Sequence, residues 1–184
     1  METKTEITCL ERSDGYAITL EHLKQHLRLS HSLEDYYLEE LIRVATESLE
    51  HYVQRSFLYK TFRVVSALMW DGGSQLHKIH LAFPPLMDIK GVRDISCADK
   101  PIVMKRYMLT PSTHKPFLSV MGGRLIEVIY GAGYGRSSND LPSPIRHSIT
   151  MMAAMMYEKR IDADESLTPA LKMLLQPYRV MPCL

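Results

Sequence analysis

The longest regular pattern of apolar and polar positions lies between residues 32 and 57. Apolar side chains recur there at steps of three and four, the period of one face of an α-helix. They are Leu38, Leu41, Ile42, Ala45, Leu49, Tyr52 and Val53. No glycine or proline interrupts the run, and Ser32 followed by Asp35 is typical of a capping box. The pattern predicts a long amphipathic helix over 34–57 that buries this stripe.

The opposite face of this predicted helix is polar and more acidic than basic. It carries Glu39, Glu40, Arg43, Glu47, Glu50, His51 and Gln54. A helix with this division buries one side in its own domain and leaves the other to water or to a second surface.

Shorter helical patterns surround the long one. They predict helices over 20–29, 144–160 and 169–178. Thr19 is a candidate N-cap for the first, and Ser143-Pro144 and Thr168-Pro169 each pair a capping side chain with a proline in the first turn. The side chains expected to be largely buried are Leu41, Ala45, Leu49, Ile149, Met152 and Leu174.

Residues 61–131 have a different pattern, with short runs rich in β-branched and aromatic residues. Strands are predicted at 61–68, 78–82, 87–96, 103–109, 117–120 and 125–130. The fold class predicted is α+β: one domain with a helical core, made of the long central helix and three shorter helices, and an inserted antiparallel β-rich section at 61–131. Residues 1–18 show no clear period and are predicted to be a loose N-terminal arm, and 180–184 form an apolar C-terminal tail.

Length and composition restrict the class of protein. A chain of 184 residues with 46% hydrophobic residues is ordinary for one soluble globular domain. The net charge of +1 gives no support for bulk electrostatic binding to nucleic acid or membrane. Cys9, Cys97 and Cys183 are far apart and odd in number, which fits a reducing compartment. The N-terminal residues lack a signal-peptide pattern, and no apolar run is long enough to cross a bilayer.

The sequence contains no strong catalytic, metal-binding or phosphate-binding motif. His22 and His26 lie one helical turn apart, yet no third metal ligand is evident. Gly131, Gly133 and Gly135 follow a predicted strand, but their spacing is not that of a dinucleotide-binding loop and no phosphate-binding lysine follows. We predict no catalytic residue, no metal site and no cofactor, so the chain is not expected to be an enzyme.

Four segments of the chain match one protein family in their order and spacing. They are 20–57 with Leu41-Ile42, Ala45, Glu50 and Arg55, then 81–92 with Pro84-Pro85-Leu86, then 126–160 with Ala132-Gly133-Tyr134-Gly135 and Leu141-Pro142, and 168–179 with Leu174-Leu175 and Pro177-Tyr178-Arg179. With these segments the sequence resembles the head–tail connector (adaptor) proteins of long-tailed phages, prophages and gene transfer agents. Phe83, the doubled proline and the loop at Trp70 depart from the family pattern.

The resemblance implies a structural virion protein, made in a bacterial host cytoplasm and located at the head–tail junction. Its partners would be further copies of itself in a ring, commonly twelve-fold, the portal protein above and a stopper or head-completion protein below. The ring would extend the DNA channel toward the tail, and DNA would pass through without specific binding. No membrane is involved.

Two sets of site residues follow as expectations. The resemblance implies that the C-terminal segment binds the portal, through Tyr178, Arg179, Val180, Met181, Pro182, Cys183 and Leu184. The acidic surplus on the long helix suggests, as a hypothesis, a channel wall that repels DNA, formed by Glu39, Glu40, Arg43, Glu47 and Glu50. A solvated helix face explains the same charges equally well.

Two other classes of protein remain open at this stage. One is a different virion part, a head-completion stopper or a tail-terminator protein, which would bind tail components instead of the portal. The other is a hydrolase or nuclease that assists packaging, which would need a metal-dependent activity for which the sequence offers no motif.

Overall fold

The computed structural model describes residues 5–67, 76–97, 101–112, 114–159 and 167–180. Its helices and antiparallel sheets form an α+β fold, which confirms the predicted class. The chain divides into two compact units. The β unit contains residues 1–13 and 59–133, and the helical unit contains residues 14–58 and 134–184.

Four α-helices form the described part of the helical unit. They are α1 (Leu20–Leu27), α2 (Asp35–Val53), α3 (Ser143–Lys159) and α4 (Pro169–Leu175), the last followed by a 3-10 turn, Gln176–Tyr178. The first two end earlier than predicted because Arg28 and Gln54 adopt the left-handed conformation, with φ of 57° and 58°. A residue in that conformation stops an α-helix.

The core of the helical unit surrounds α3, which packs against α1, α2 and α4. The predicted stripe of α2 is buried except for Tyr52, which is half-buried. Five of the six residues expected in the core are confirmed: Leu41, Ala45, Leu49, Ile149 and Met152. The prediction for Leu174 is wrong, since that side chain is 38% exposed. Helix α4 turns Leu171 and Leu175 into the core instead, and Leu174 lies beside that buried face.

The helix starts show which capping predictions hold. Thr19 and Thr168 accept backbone N–H groups from His22 at 3.2 Å and Leu171 at 3.4 Å, so both predicted N-caps are confirmed. The capping box predicted at Ser32 is wrong. The N-cap position is instead occupied by Glu34, two residues later, and no side chain caps the helix there.

Other side chains hold the start of α2. Lys24 on α1 donates to the Asp35 carboxylate at 2.7 Å, and Tyr157 on α3 donates to Glu34 at 2.5 Å. The Tyr157 ring also lies 6.2 Å from that of Tyr37. These contacts from two neighbouring helices replace the missing local cap.

Eight strands form the described part of the β unit, and every pairing is antiparallel. The strands are β1 (Thr5–Arg12), β2 (Lys60–Ala67), β3 (Leu76–His80), β4 (Leu86–Asp94), β5 (Ile102–Val103), β6 (Tyr107–Thr110), β7 (Phe117–Met121) and β8 (Leu125–Ala132). One sheet has the order β1-β2-β8-β4-β5 and the other β3-β7-β6. The predicted β-rich section therefore exists, with the strand predicted at 103–109 divided into β5 and β6.

The prediction of a loose N-terminal arm over residues 1–18 is wrong for the described part of that segment. Residues 5–12 form the edge strand β1, which runs along β2 from the pair Thr5 and Ser66 to the pair Arg12 and Lys60. All eight side chains of β1 are exposed. Because neither face of β1 is buried, its sequence shows no alternation of apolar and polar residues. The strand is held in place by backbone hydrogen bonds. The loop at Trp70 lies outside the described residues.

The two sheets share one apolar core, in which aromatic rings stack. Phe62 lies between Phe83 and Tyr130, with ring centroids 5.1 Å and 5.7 Å away. The Tyr130 hydroxyl donates to the Ala82 carbonyl at 2.9 Å, and burial raises the pKa of Tyr130 above its ordinary value. The buried phenol thus keeps its proton and a hydrogen-bond partner.

Close packing explains two of the glycines in the stretch 131–135. A side chain on Gly131 would begin 2.1 Å from the Asp88 carboxylate, and one on Gly135 would begin 2.2 Å from that of Asp140. At each glycine the missing side chain leaves room for a neighbouring aspartate side chain to lie against the backbone. Packing accounts for both glycines without a bound phosphate.

Leu49 offers a direct test of the helical core. It is fully buried, so Leu49→Ala should lower the free energy of unfolding by about 2–5 kcal/mol. Leu33→Ala is the matched control, since Leu33 is 90% exposed and its loss should change stability by less than about 0.5 kcal/mol. Urea unfolding measures both. Equal losses in the two variants would contradict the observed core.

Candidate functional site at the end of the long helix

Helix α2 ends in a tight reversal of the chain. Gln54 takes the left-handed conformation, and the backbone N–H groups of Gln54 and Arg55 both donate to the Glu50 carbonyl. This arrangement satisfies two donors at one carbonyl of the last turn, as is usual for left-handed helix ends. The reversal places the next residues against the body of the helical unit.

The Glu50 side chain stabilises this reversal from inside. Its carboxylate is buried and accepts the Phe57 N–H at 2.6 Å, while the Phe57 ring lies in the core. Glu50 was expected on the channel-facing surface, and that assignment is wrong. The residue lies at the border of the polar face and its carboxylate is used within the fold.

Arg55 is the largest fully buried side chain in the described residues, with 2% of its surface exposed. Its Nε donates to the Tyr178 carbonyl, which joins the end of α2 to the turn after α4. It also lies beside Tyr134, where burial raises the pKa of the phenol and the guanidinium acts in the opposite direction. Nη1 has no hydrogen-bond partner among the described residues.

The residues after Tyr178 are bound to the same helix end. The Val180 N–H donates to the Val53 carbonyl at 2.9 Å, and the Arg179 guanidinium lies 4.9 Å from the centre of the Tyr52 ring. The first three of the expected portal-binding residues are therefore anchored in their own unit. The other four, Met181, Pro182, Cys183 and Leu184, lie outside the described residues.

The remaining residues of the proposed channel wall lie on the outer side of α2. Arg43 donates to Glu40 at 3.3 Å and to the Tyr16 hydroxyl at 2.8 Å, and that hydroxyl donates to Glu39 at 2.9 Å. The hydrogen bond with Tyr16 raises the pKa of Arg43. Glu47 is exposed on the same side. Tyr16 has no helical or strand pattern around it, which is why its part in this network is missing from the sequence prediction.

Large apolar side chains interrupt this charged surface. Tyr36 is 78% exposed, and Tyr37 and Val44 are also exposed on α2. Exposed aromatic residues beside charged ones are typical of surfaces that contact other proteins. The outer side of α2 is thus less polar than its pattern of charges indicates.

Other chemistry finds no support in the described ranges. Within them no group of three or more histidine, cysteine, aspartate or glutamate side chains is placed to hold a metal ion, and His22 and His26 gain no third ligand there. No helix in these ranges combines the length and apolar character that a bilayer span requires.

Replacing Arg55 tests the anchor at the end of α2. Arg55→Met keeps the aliphatic stem but removes the donor to Tyr178, so the free energy of unfolding should fall by about 1–3 kcal/mol. The amide of Val180 should exchange its hydrogen faster, because the segment is released from Val53. Urea unfolding and hydrogen exchange measure the two effects.

The control for this variant is Arg146→Met, on the partly exposed start of α3. It should change stability by less than about 0.5 kcal/mol and leave exchange at Val180 unchanged. An Arg55→Met protein with unchanged protection at Val180 would show that the C-terminal segment is held by something else.

Comparisons with known proteins agree with the family resemblance in the sequence. The profile of the family described as "Phage gp6-like head-tail connector protein" matches residues 17–78, about a third of the chain, which include α1, α2 and β2. No curated protein sequence gives a significant match.

Solved structures resemble nearly the whole chain. A chain from "Neck of empty GTA particle computed with C6 symmetry" has a TM-score of 0.80 and 22% identity, with 97% of both chains covered. Chains from "Virion of native gene transfer agent (GTA) particle" and "Neck of native GTA particle computed with C12 symmetry" have TM-scores of 0.76 at 23% and 20% identity, again over 97% of both chains. The chain thus has the fold of these neck proteins over almost its full length, and residues 17–78 carry the sequence pattern of the gp6-like head–tail connectors.

Proposed function

We propose that this protein is a structural head–tail connector (adaptor) subunit, which forms a ring below a portal and extends the DNA channel toward a stopper and tail. The observation that supports this most strongly is the shared fold with proteins of gene transfer agent necks over 97% of both chains. The connector profile over residues 17–78 supports the same role independently of the fold.

Self-assembly is the first element of the proposal. Two of the similar structures are necks computed with six-fold and twelve-fold symmetry. A ring of identical subunits needs two different matching surfaces on each copy, because the contacts run head to tail. We propose a twelve-fold ring for this chain in the assembled particle.

Portal binding is the second element, and we assign it to the C-terminal segment. The base of the segment is fixed at the end of α2 through Tyr178 and Val180, which gives the following residues a defined starting point. Met181 and Leu184 supply apolar side chains for such a contact. An extended peptide of this kind binds by adding to a sheet edge, with main-chain hydrogen bonds and alternate side chains fixing its register. Pro182 lacks an N–H and must face away from the added ladder.

The channel-facing role of Glu39, Glu40, Arg43 and Glu47 stays a prediction, now without Glu50. Acidic side chains suit a wall past which DNA slides, because they make no salt-dependent contacts with phosphate. The exposed Tyr36 and Val44 on the same helix favour a protein contact for part of this surface.

Truncation tests the portal contact. Deleting residues 181–184 should weaken binding to the portal protein of the same genetic element by about tenfold or more, which is 1.4 kcal/mol or more. The melting temperature should change by less than about 2 °C, since the anchored residues Tyr178–Val180 remain. Calorimetric titration and thermal unfolding provide the two numbers.

Leu33→Ala serves as the control, because it removes exposed apolar surface elsewhere and should bind the portal normally. Normal portal binding by the truncated chain would show that the docking surface lies outside residues 181–184. If the full-length chain binds tail components and not the portal, the protein is a stopper or tail terminator.

A further inference from the structure

The three-stranded sheet β3-β7-β6 concentrates positive charge. Strand β3 contains Lys78, and the segment 101–124, which includes β6 and β7, contains no aspartate or glutamate. The cationic residues of that segment are Lys105, Arg106, Lys115 and Arg124. Because the whole chain has a net charge of only +1, its composition hides this local excess.

Cations of the five-stranded sheet lie beside carboxylates, whereas those on and beside the small sheet do not. Arg63 and Arg93 contact the Glu127 carboxylate at 2.6 Å and 3.7 Å. Lys90 lies 3.6 Å from Glu11. The exposed cations of the small sheet that make no ion pair with a described residue are Lys78, Lys105, Arg106 and Arg124. Like charges without partners repel one another, so this surface gains from binding an anion.

Alternation along β7 defines the outer face of the small sheet. Leu118 and Val120 lie in the apolar core, so Phe117, Ser119 and Met121 lie on the other side. The strand register adds neighbours from β3 and β6. They are Lys78 and Met108 beside Ser119, and His80 and Thr110 beside Phe117. We call the seven residues on this side the small-sheet face.

The other three unpaired cations gather at one end of this face. Strands β6 and β7 are antiparallel, and Tyr107 at the start of β6 pairs with Val120 near the end of β7. Lys105 and Arg106 precede β6 at this end, and Arg124 follows the turn after β7 at the same end. All three side chains are exposed.

The middle of the small-sheet face holds a buried hydroxyl without a hydrogen-bond partner. Ser119 is 2% exposed, and its Oγ contacts no donor or acceptor among the described residues. Leaving a buried polar group unpaired is costly. Lys78 and Met108 flank Ser119 and are exposed. Their unbranched side chains can move aside, so a ligand bound by Lys78 can also reach this hydroxyl.

We propose that the small-sheet face, with Lys105, Arg106 and Arg124 at its end, binds the phosphate backbone of duplex DNA without sequence preference. This inference rests on the proposed function, which brings DNA past the subunit. Lysine, arginine, serine and threonine supply contacts to phosphate in proteins, and this surface carries all four. From Phe117 to Met121 the face is about 13 Å long, the axial length over which one DNA strand carries about four phosphates.

An acidic protein surface is the rival occupant, because Met108 and Met121 are exposed on the same face. The charges favour DNA. Lysine is depleted at protein interfaces, whereas here Lys78 lies in the middle of the face and three further cations lie at its end. Contacts to a few phosphates are weak and depend on salt, which lets a duplex slide past the subunit.

Duplex DNA binding by the full chain tests the proposal. Fluorescence anisotropy with a labelled duplex of about 24 base pairs measures the affinity between 50 and 200 mM NaCl. Four phosphate contacts should lower the affinity about 100-fold over this range, because each contact contributes about 0.9 to the slope of log affinity against log salt. Lys78→Gln with Lys105→Gln should reduce that slope by about 1.8 and lower the affinity in 50 mM NaCl by about tenfold or more.

Lys159→Gln with Lys172→Gln is the matched control. Both lysines are exposed in the helical unit, and the loss of charge is the same. This control should keep the salt slope of the unaltered chain and an affinity within about twofold of it. A similar loss of affinity in the two variants would overturn the inference, because total charge would then explain the binding. The absence of DNA binding by the unaltered chain in 50 mM NaCl would overturn it as well.

Ser119→Ala tests the buried hydroxyl separately from the fold. Removing a buried hydroxyl that has no partner should leave the melting temperature unchanged or raise it, while the affinity for DNA falls about two- to fivefold. An unchanged affinity would contradict the assignment of this hydroxyl to the DNA contact.

Portal binding separates this inference from the connector function and from the rival occupant. The chain with Lys78→Gln and Lys105→Gln should bind the portal as the unaltered chain does. Weaker portal binding with unchanged DNA binding would assign the small-sheet face to a protein contact and overturn the inference. If DNA binding fails while the unaltered chain still forms a ring on its portal, the DNA contact is wrong and the connector function stands.

Discussion

The buried side chains at the end of α2 are the constraint on which the arrangement of the helical unit depends. Glu50 accepts the Phe57 N–H and Arg55 donates to Tyr178, so two chain segments far apart in sequence meet at one helix end. Burying charged groups is costly unless they are hydrogen-bonded, and these two use their hydrogen bonds to fix the reversal after Gln54 and the C-terminal segment. The starting point of the C-terminal segment is thus determined by the same residues that terminate the long helix.

This constraint divides the surface of the helical unit into regions with different proposed uses. The C-terminal segment leaves from the end of α2 after Val180, and it is the proposed contact with the portal. The outer side of α2 carries the exposed apolar residues Tyr36, Tyr37 and Val44 among charged ones, which favours a contact with another protein. An adaptor must bind a partner and also bind itself, and separate surfaces allow both at once.

The sequence predicts well the features that depend on local patterns, such as periodic burial and helix caps. The stripe on α2, the caps at Thr19 and Thr168 and most strands follow from local patterns that the fold preserves. It predicts poorly what depends on distant contacts. Strand β1 buries no side chain and so has no alternation, and Glu50 looks like a surface residue because its partner, the Phe57 N–H, belongs to a turn formed after the helix. Leu174 fits a helical stripe on spacing alone, but Leu171 and Leu175 occupy the core.

We infer that copies of this chain close into a ring on a portal. Electron microscopy of the purified protein mixed with the portal of the same genetic element tests it most directly. We expect a closed ring of copies, coaxial with the portal, with an open channel through its centre and the helical unit of each copy touching the next. Single copies bound separately to the portal, or a portal without added density below it, would contradict ring assembly.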